Sequence, residues 1–290
     1  MDDWRPACSL EALAVRGEVL RTVREFFHAR GVLEVQTPVL ASATVTEPAV
    51  EAIEVPGYGY LQTSPEYLQK RLLAAGAPSL YQLGPVFRAG EAGRRHNPEF
   101  TMLEWYRLGF DDAALMAEVA ELVDAVLGPA PYGSVGYAEV VERAPADLGA
   151  DGLTPRERLD LRFAAGLDAL PPGRWFVVDF PADQAALARL RPGRPDLAAR
   201  FELVVDGLEL ANGYWELGDP AALEARFRED LAVRRRRGQR EPALDRRFLA
   251  AMAAGLPDCA GVALGFDRLL MLRLGAESLA EVLPFPIDRA

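Results

Sequence analysis

Three short stretches of this 290-residue chain bring together residue types that can hold charged ligands. The first runs from Phe87 to Tyr106, FRAGEAGRRHNPEFTMLEWY, and reads as a strand, a polar loop and a returning strand. Its loop carries Arg88, Glu91, Arg94, Arg95 and His96. Alternation along the returning strand puts Glu99, Thr101, Leu103 and Trp105 on one face and Phe100, Met102, Glu104 and Tyr106 on the other. Three arginines between paired strands suit an anionic ligand, because a guanidinium fork grips phosphate oxygens two at a time. A solvated hairpin tip is the plainer reading of the same charges.

The second stretch, GVALGFDR from Gly261 to Arg268, sets two glycines in an apolar strand and an arginine in the first turn of the next helix. Glycine inside a strand marks close approach by a ligand or another backbone. An arginine beside open helix N–H groups can grip a phosphate, although tight packing with a surface arginine explains the pattern equally well. The third stretch is ELANGYWE, Glu209 to Glu216. Counting by twos from Glu209 misses Glu216 unless the strand bulges, for which Asn212-Gly213 is the natural place. Two carboxylates brought to one site would serve Mg²⁺ or an ammonium group; separately they are ordinary solvated strand ends.

Composition narrows the options. The chain has 43 acidic and 32 basic residues, a net charge of -11, and Lys70 is its only lysine. A phosphate loop that needs a lysine therefore has one position to use, in the wrong surroundings. Net acidity also argues against broad nucleic-acid affinity. Cys8, Cys259, His28 and His96 are too few and too scattered for a paired zinc site, and buried reduced thiols are expected. The acidic N-terminus has no apolar stretch of the signal-peptide kind, and the longest uncharged run, 72–87, is short for a membrane span and broken by glycine and proline. These features point to a cytoplasmic protein without membrane contact.

Around these stretches the elements can be outlined. Leu13, Val19, Leu20, Val23, Phe26 and Phe27 repeat at helical spacing from Leu10 to Arg30, with Gly31 as a left-handed cap. VLEVQTPVL reads as a strand ended by Pro38. Asp111 caps a helix with Leu115, Val119, Leu122 and Val126 on one stripe and Gly128 at its end. Residues 129–175 give only weak helical signals. WFVVDFP (175–181) reads as one buried strand, and Asp206-Gly207 joins two strands in a hairpin. Helices are expected from Asp219 toward Arg237 and over about 243–254, where Arg226, Arg228, Arg234 to Arg237, Arg240, Arg246 and Arg247 crowd together with interleaved acids. That tract reads as a solvated face, or else as a guide for an acidic partner or a nucleic acid. Hairpin-paired strands with gathered helices predict an α+β fold on an antiparallel sheet. Length alone would suggest about two domains, though one large mixed domain of this size is also common.

Taken together, the three stretches resemble the signature motifs of class II aminoacyl-tRNA synthetases. PEFTMLEWY, TSPEYLQKRLL (63–73), ELANGYWEL and GVALGFDRLLMLRLGAESLAEVLPF are similar to the lysyl-tRNA synthetase branch, and within it to a truncated paralogous family, the elongation factor P–(R)-β-lysine ligases. The resemblance implies one catalytic domain over 1–290, an antiparallel sheet flanked by helices, with no N-terminal anticodon-binding barrel. It implies ATP and Mg²⁺, activation of β-lysine as an adenylate, elongation factor P as protein acceptor and a homodimer through the motif 1 segment ending at Pro38. It places Arg88 on the α-phosphate and Arg268 on the γ-phosphate as the catalytic cations. Ala89, Gly90, Glu91, Asn97, Phe100, Glu209, Leu210, Asn212 and Gly265 fall in the ATP half. Ser64, Pro65, Glu66, Tyr106, Glu216 and Ala263 fall in the amino-acid half, with Glu209 and Glu216 as the metal carboxylates.

Two positions depart from the pattern. Motif 2 usually reads Arg-x-Glu, whereas Gly90 stands third here and Glu91 follows it. Ala263 replaces a glycine of lysyl-tRNA synthetases, and its methyl group would favour an amino group shifted to the β carbon. The competing readings are an enzyme charging tRNA with α-lysine and a non-catalytic amino-acid-binding regulator. The absent anticodon barrel and the net charge disfavour tRNA, and the presence of Arg88, Glu209, Glu216 and Arg268 disfavours a dead regulator.

Overall fold

The computed structural model describes residues 4–149 and 152–290. Its centre is an eight-stranded sheet built from β1 (Leu33–Glu34), β2 (Leu80–Phe87), β3 (Glu99–Leu108), β4 (Tyr132–Gly136), β5 (Arg174–Val178), β6 (Arg200–Val205), β7 (Leu208–Trp215) and β8 (Cys259–Gly265). The order is β1-β2-β3-β8-β7-β6-β5-β4. The five inner pairings are antiparallel, while β1 with β2 and β4 with β5 are parallel. Two three-stranded sheets, one drawn from 40–61 and one from 180–198, sit outside it. The expected α+β antiparallel architecture is present, with parallel pairs added at its two edges.

Among the described residues, eight helices cover it: α1 (Leu10–Ala29), α2 (Glu66–Ala74), α3 (Asp112–Leu127), α4 (Tyr137–Arg143), α5 (Pro155–Asp168), α6 (Pro220–Arg236), α7 (Arg246–Gly255) and α8 (Phe266–Leu274). α1, α3 and α8 press their apolar stripes on one face of the sheet, where Phe27, Leu103, Trp105, Leu115, Val262, Leu264 and Leu269 share one core. Burying side chains of this size contributes about 1.5–3 kcal/mol each. Because strand residues alternate, the partners of that core point the other way. Phe100, Met102, Glu104 and Tyr106 of β3 and Ala263 of β8 therefore line the opposite face, where the candidate site lies.

Local signals explain most boundaries. Asp111 accepts a hydrogen bond from the Ala114 N–H and Gly128 ends α3, while Asp219 and Asp245 cap α6 and α7. The Asp206-Gly207 hairpin has positive φ at both turn residues, 50° and 75°, as a primed two-residue turn requires. Three expectations need correction. VLEVQTPVL contributes only Leu33–Glu34 to the sheet as a two-residue edge strand; the Thr37 N–H already turns to the Gln82 side chain, and Pro38 has no N–H to offer. WFVVDFP is two strands in different sheets, broken at Asp179 with φ 56°. YGSVG forms the edge strand β4, although glycine and serine dominate it, because β5 supplies its ladder.

The arginine tract is mostly neutralised locally. Arg228, Arg235 and Arg236 pair with Glu224, Glu241 and Glu229, and Arg240 with Glu54. Arg226 donates to the Ala186 and Ala188 carbonyls, and Arg234 is buried. Cys8 and Cys259 are buried and unpaired, as expected. Among the described residues no helix is long and apolar enough to cross a membrane.

Candidate active site

A cavity of about 310 Å³ opens on the face of the sheet opposite the α1/α3/α8 core. β3, β7 and β8 form its floor, the loop between β2 and β3 one wall, and the start of α2 another. Of the residues singled out in the sequence, Ser64, Glu66, Arg88, Glu91, Asn97, Phe100, Tyr106, Glu209, Leu210, Asn212, Glu216, Ala263, Gly265 and Arg268 all line it. Pro65, Ala89 and Gly90 stand outside the lining. Pro65 is the N-cap of α2, the Ala89 N–H donates to the Glu51 carbonyl, and Gly90 turns the loop with φ 77°.

One end of the cavity is cationic. Arg88 stacks over the Phe100 ring with its guanidinium 5.2 Å from the centroid, and Glu91 lies 3.6 Å from it. Glu91, one residue beyond Gly90, thus still reaches Arg88. Arg268 donates to the Glu209 carbonyl at 2.8 Å and meets His96 Nε2 at 2.9 Å. Arginine has only donors, so that ring nitrogen must accept. Burial and the Arg268 charge both push the His96 pKa down, consistent with a neutral ring. The residue before the arginine, Asp267, is buried and accepts from Arg16 and from the Thr101 N–H, each at 2.6 Å, which fixes the start of α8 against α1 and β3. Asn97 is committed to the scaffold: its amide donates to the Glu99 carbonyl at 2.6 Å, and its oxygen accepts the Ile287 N–H at 3.0 Å.

The other end is a cluster of buried carboxylates. Ser64 and Tyr106 hydroxyls donate to the two oxygens of Glu104 at 2.7 and 2.8 Å. Burial, with repulsion from Glu66, pushes the Glu104 pKa up to about 8. Glu216 is 1% exposed, and burial raises its pKa against the opposing attraction of Lys70. Lys70 sits between Glu66 and Glu216, 2.6 Å from an oxygen of each. Burial works against its charge, but Glu216 and Glu66 outweigh burial and hold its pKa above the ordinary lysine range.

Strand geometry accounts for how Glu209 and Glu216 share this site. Leu203 of β6 pairs with Ala211, but Val204 pairs with Glu209, so Leu210 is an extra residue in β7. The bulge is at Leu210 and not at Asn212-Gly213. It switches parity, so that Glu209 joins Asn212, Tyr214 and Glu216 along the cavity. Two further participants, Glu104 and Lys70, were not proposed from the sequence as site residues. Their signals were there: Glu104 shares a strand face with Phe100 and Tyr106, and Glu66 and Lys70 are four apart on a helix.

An antiparallel sheet with helices on one face and, on the other, one cavity lined by Arg88 and Arg268 at one end and by carboxylates at the other has the architecture of a class II synthetase catalytic domain. The family model for tRNA synthetases class II (D, K and N) matches residues 2–289. The chain is 44% identical over 322 aligned positions to an elongation factor P–(R)-β-lysine ligase of Vibrio cholerae serotype O1, covering 99% of both chains. It is 43% identical over 319 positions to the ligases of the same name from Salmonella dublin and Salmonella paratyphi B, covering 99% of this chain and 98% of theirs. The chain belongs to this class II family, on the branch of the elongation factor P–(R)-β-lysine ligases.

Proposed function

We propose that this chain uses ATP to activate (R)-β-lysine as an aminoacyl-adenylate and then transfers the β-lysyl group to a lysine side chain of elongation factor P in the cytoplasm. The observation that carries the reading is the division of one cavity into an arginine end and a carboxylate end, in a chain aligned over nearly its whole length with ligases of that name. A diamino acid has the complementary charges. Its two ammonium groups fit the cluster of Glu66, Glu104 and Glu216, leaving its carboxylate directed toward Arg88.

In the first step the amino-acid carboxylate attacks the α-phosphorus of ATP, the bond to the β-phosphate oxygen breaks, and pyrophosphate leaves. Little covalent help is required; positioning and charge stabilisation supply the rate. Arg88 would hold the α-phosphate and the attacking carboxylate, and Arg268 the γ-phosphate, with the Phe100 ring against the adenine. In the second step the acceptor amine attacks the acyl carbon, loses a proton, and AMP leaves.

The residues fit a magnesium ion held mainly by phosphate oxygens. Among the described residues no cluster of three or more His, Cys, Asp or Glu side chains is arranged as a metal site, and Mg²⁺ at nucleotides commonly uses one or two carboxylates. Glu209, beside Arg268 at 3.7 Å, and the buried, unpartnered Asn212 Oδ1 would hold it. Bound there, the ion would offset phosphate charge. Glu216, engaged with Lys70, belongs to the amino-acid end. Leu33 of the motif 1 segment and Val39 and Leu40 just after it are exposed, which supports contact between two copies there.

The test is ATP–pyrophosphate exchange with (R)-β-lysine, (S)-β-lysine and α-lysine. Exchange should be fastest with (R)-β-lysine, and Arg268→Ala should lower it by about two orders of magnitude. Absence of exchange with all three would refute the reading.

A further inference from the structure

Of the chain's 32 basic residues, the only lysine is buried at the carboxylate end of the cavity. Lys70 is 2% exposed and projects from α2 on the same face as Glu66, four residues earlier. Glu216, just beyond β7, closes the other side at 2.6 Å. A compact ammonium with three donors can sit between two carboxylates, whereas a planar, longer guanidinium demands a fork-shaped partner.

A buried ion pair that serves only the scaffold has its oxygens fully hydrogen-bonded, because an unsatisfied buried acceptor costs about 1–3 kcal/mol. This one is incomplete. Lys70 forms an ion pair with Oε2 of Glu216 at 2.6 Å, but both oxygens of that carboxylate are buried without a hydrogen-bond partner, and Oε1 borders the cavity beside Gly261. Charge counting gives the same picture. Glu66, Glu104 and Glu216 set three carboxylates against one ammonium, so two negative charges remain when all are ionised.

We infer that Lys70 is a positioning and specificity residue for the amino-acid substrate. It cancels one charge of the carboxylate cluster, leaving room for two ammonium groups, and it holds Glu216 with Oε1 presented to one of them. The inference rests on the diamino-acid reading above, and the experiment separates the two.

Labelling lysine with ¹⁵N at Nζ reports on Lys70 alone, because no other lysine exists in the chain. In the wild-type protein the label should stay protonated and exchange slowly with water between about pH 6 and 9. It should shift on addition of (R)-β-lysine and remain in place on addition of ATP. In parallel, Lys70→Met should raise KM for the amino acid at least about tenfold while KM for ATP stays within about twofold. A label that ignores the amino acid would overturn the inference, as would a Lys70→Met variant with unchanged KM. If the variant does not fold, the wild-type label decides. Wild-type protein that exchanges with no diamino acid overturns the substrate reading and this inference with it; normal exchange with an unresponsive label overturns this inference alone.

Discussion

Gly261 and Glu216 are in contact across the space that a side chain would occupy. A Cβ built on Gly261 would lie 2.5 Å from Glu216 Oε1 and 2.3 Å from the Tyr106 ring. The glycine in β8, facing Tyr106 and Tyr214 in the two neighbouring strands, is there because the floor of the amino-acid end has no room for a methyl group. Gly261→Ala must displace either the aromatic ring or the carboxylate. We expect KM for the amino acid to rise about tenfold or more, with KM for ATP little changed and a loss of about 1–3 kcal/mol in stability from overpacking. Kinetics of both substrates together with a melting curve check this.

The raised Glu104 pKa predicts a pH dependence of definite sign. Folded protein keeps this carboxyl protonated up to about pH 8, whereas the unfolded chain gives up the proton near the ordinary glutamate value. The contribution of Glu104 to stability is thus fully present below the unfolded pKa and is lost as pH rises toward 8. Glu104→Gln removes that slope, so its melting temperature should gain on the wild type from pH 5 to pH 8. Parallel curves would contradict the assignment. Binding of a doubly cationic amino acid favours the ionised form, so calorimetry at pH 7 in buffers of different ionisation heat should show proton release from the wild type and less from the variant.

Arg234 and Arg236 are two residues apart and should behave oppositely. Arg234 donates to the carbonyls of Thr46, Glu47, Val50 and Arg240 and to Glu51, at 2.6 to 3.1 Å, and is 2% exposed. Arg234→Met would strand those carbonyls and cost about 3–5 kcal/mol. It would also loosen the segment whose Glu51 carbonyl accepts the Ala89 N–H beside Arg88. Arg236 pairs with Glu229 at the surface, and Arg236→Ala should move the melting temperature by about 1 °C or less. Equal losses from the two changes would refute the distinction.

Ala263 stands between Glu104 of β3 and Asn212 of β7 and lines the cavity. Its methyl group therefore lies on the floor between the two ends. Ala263→Gly should raise exchange with α-lysine relative to (R)-β-lysine. An unchanged ratio would show that the methyl group has no part in choosing between them.

Much of this architecture is readable in the chain because it depends on local chemistry. The Asp111 cap, the Asp206-Gly207 turn and the apolar stripe of α3 each follow from a few neighbouring residues, and the three cavity-forming motifs are contiguous. What escapes such reading depends on neighbours far away in sequence. β4 exists because β5 pairs with it, and Asp179 breaks a strand that its apolar flanks would continue. The bulge that brings Glu209 and Glu216 to one face is set by register with β6. Likewise Lys70 looks like an isolated cation until β7 delivers Glu216 to it.

The central claim is that the β-lysyl group ends on a protein, and the most direct measurement follows labelled (R)-β-lysine in one reaction containing this chain, ATP and Mg²⁺, elongation factor P and tRNA. Label should appear on a lysine of elongation factor P, dependent on ATP and lost with Arg268→Ala, and none on tRNA. Efficient charging of tRNA with no label on elongation factor P would contradict that claim.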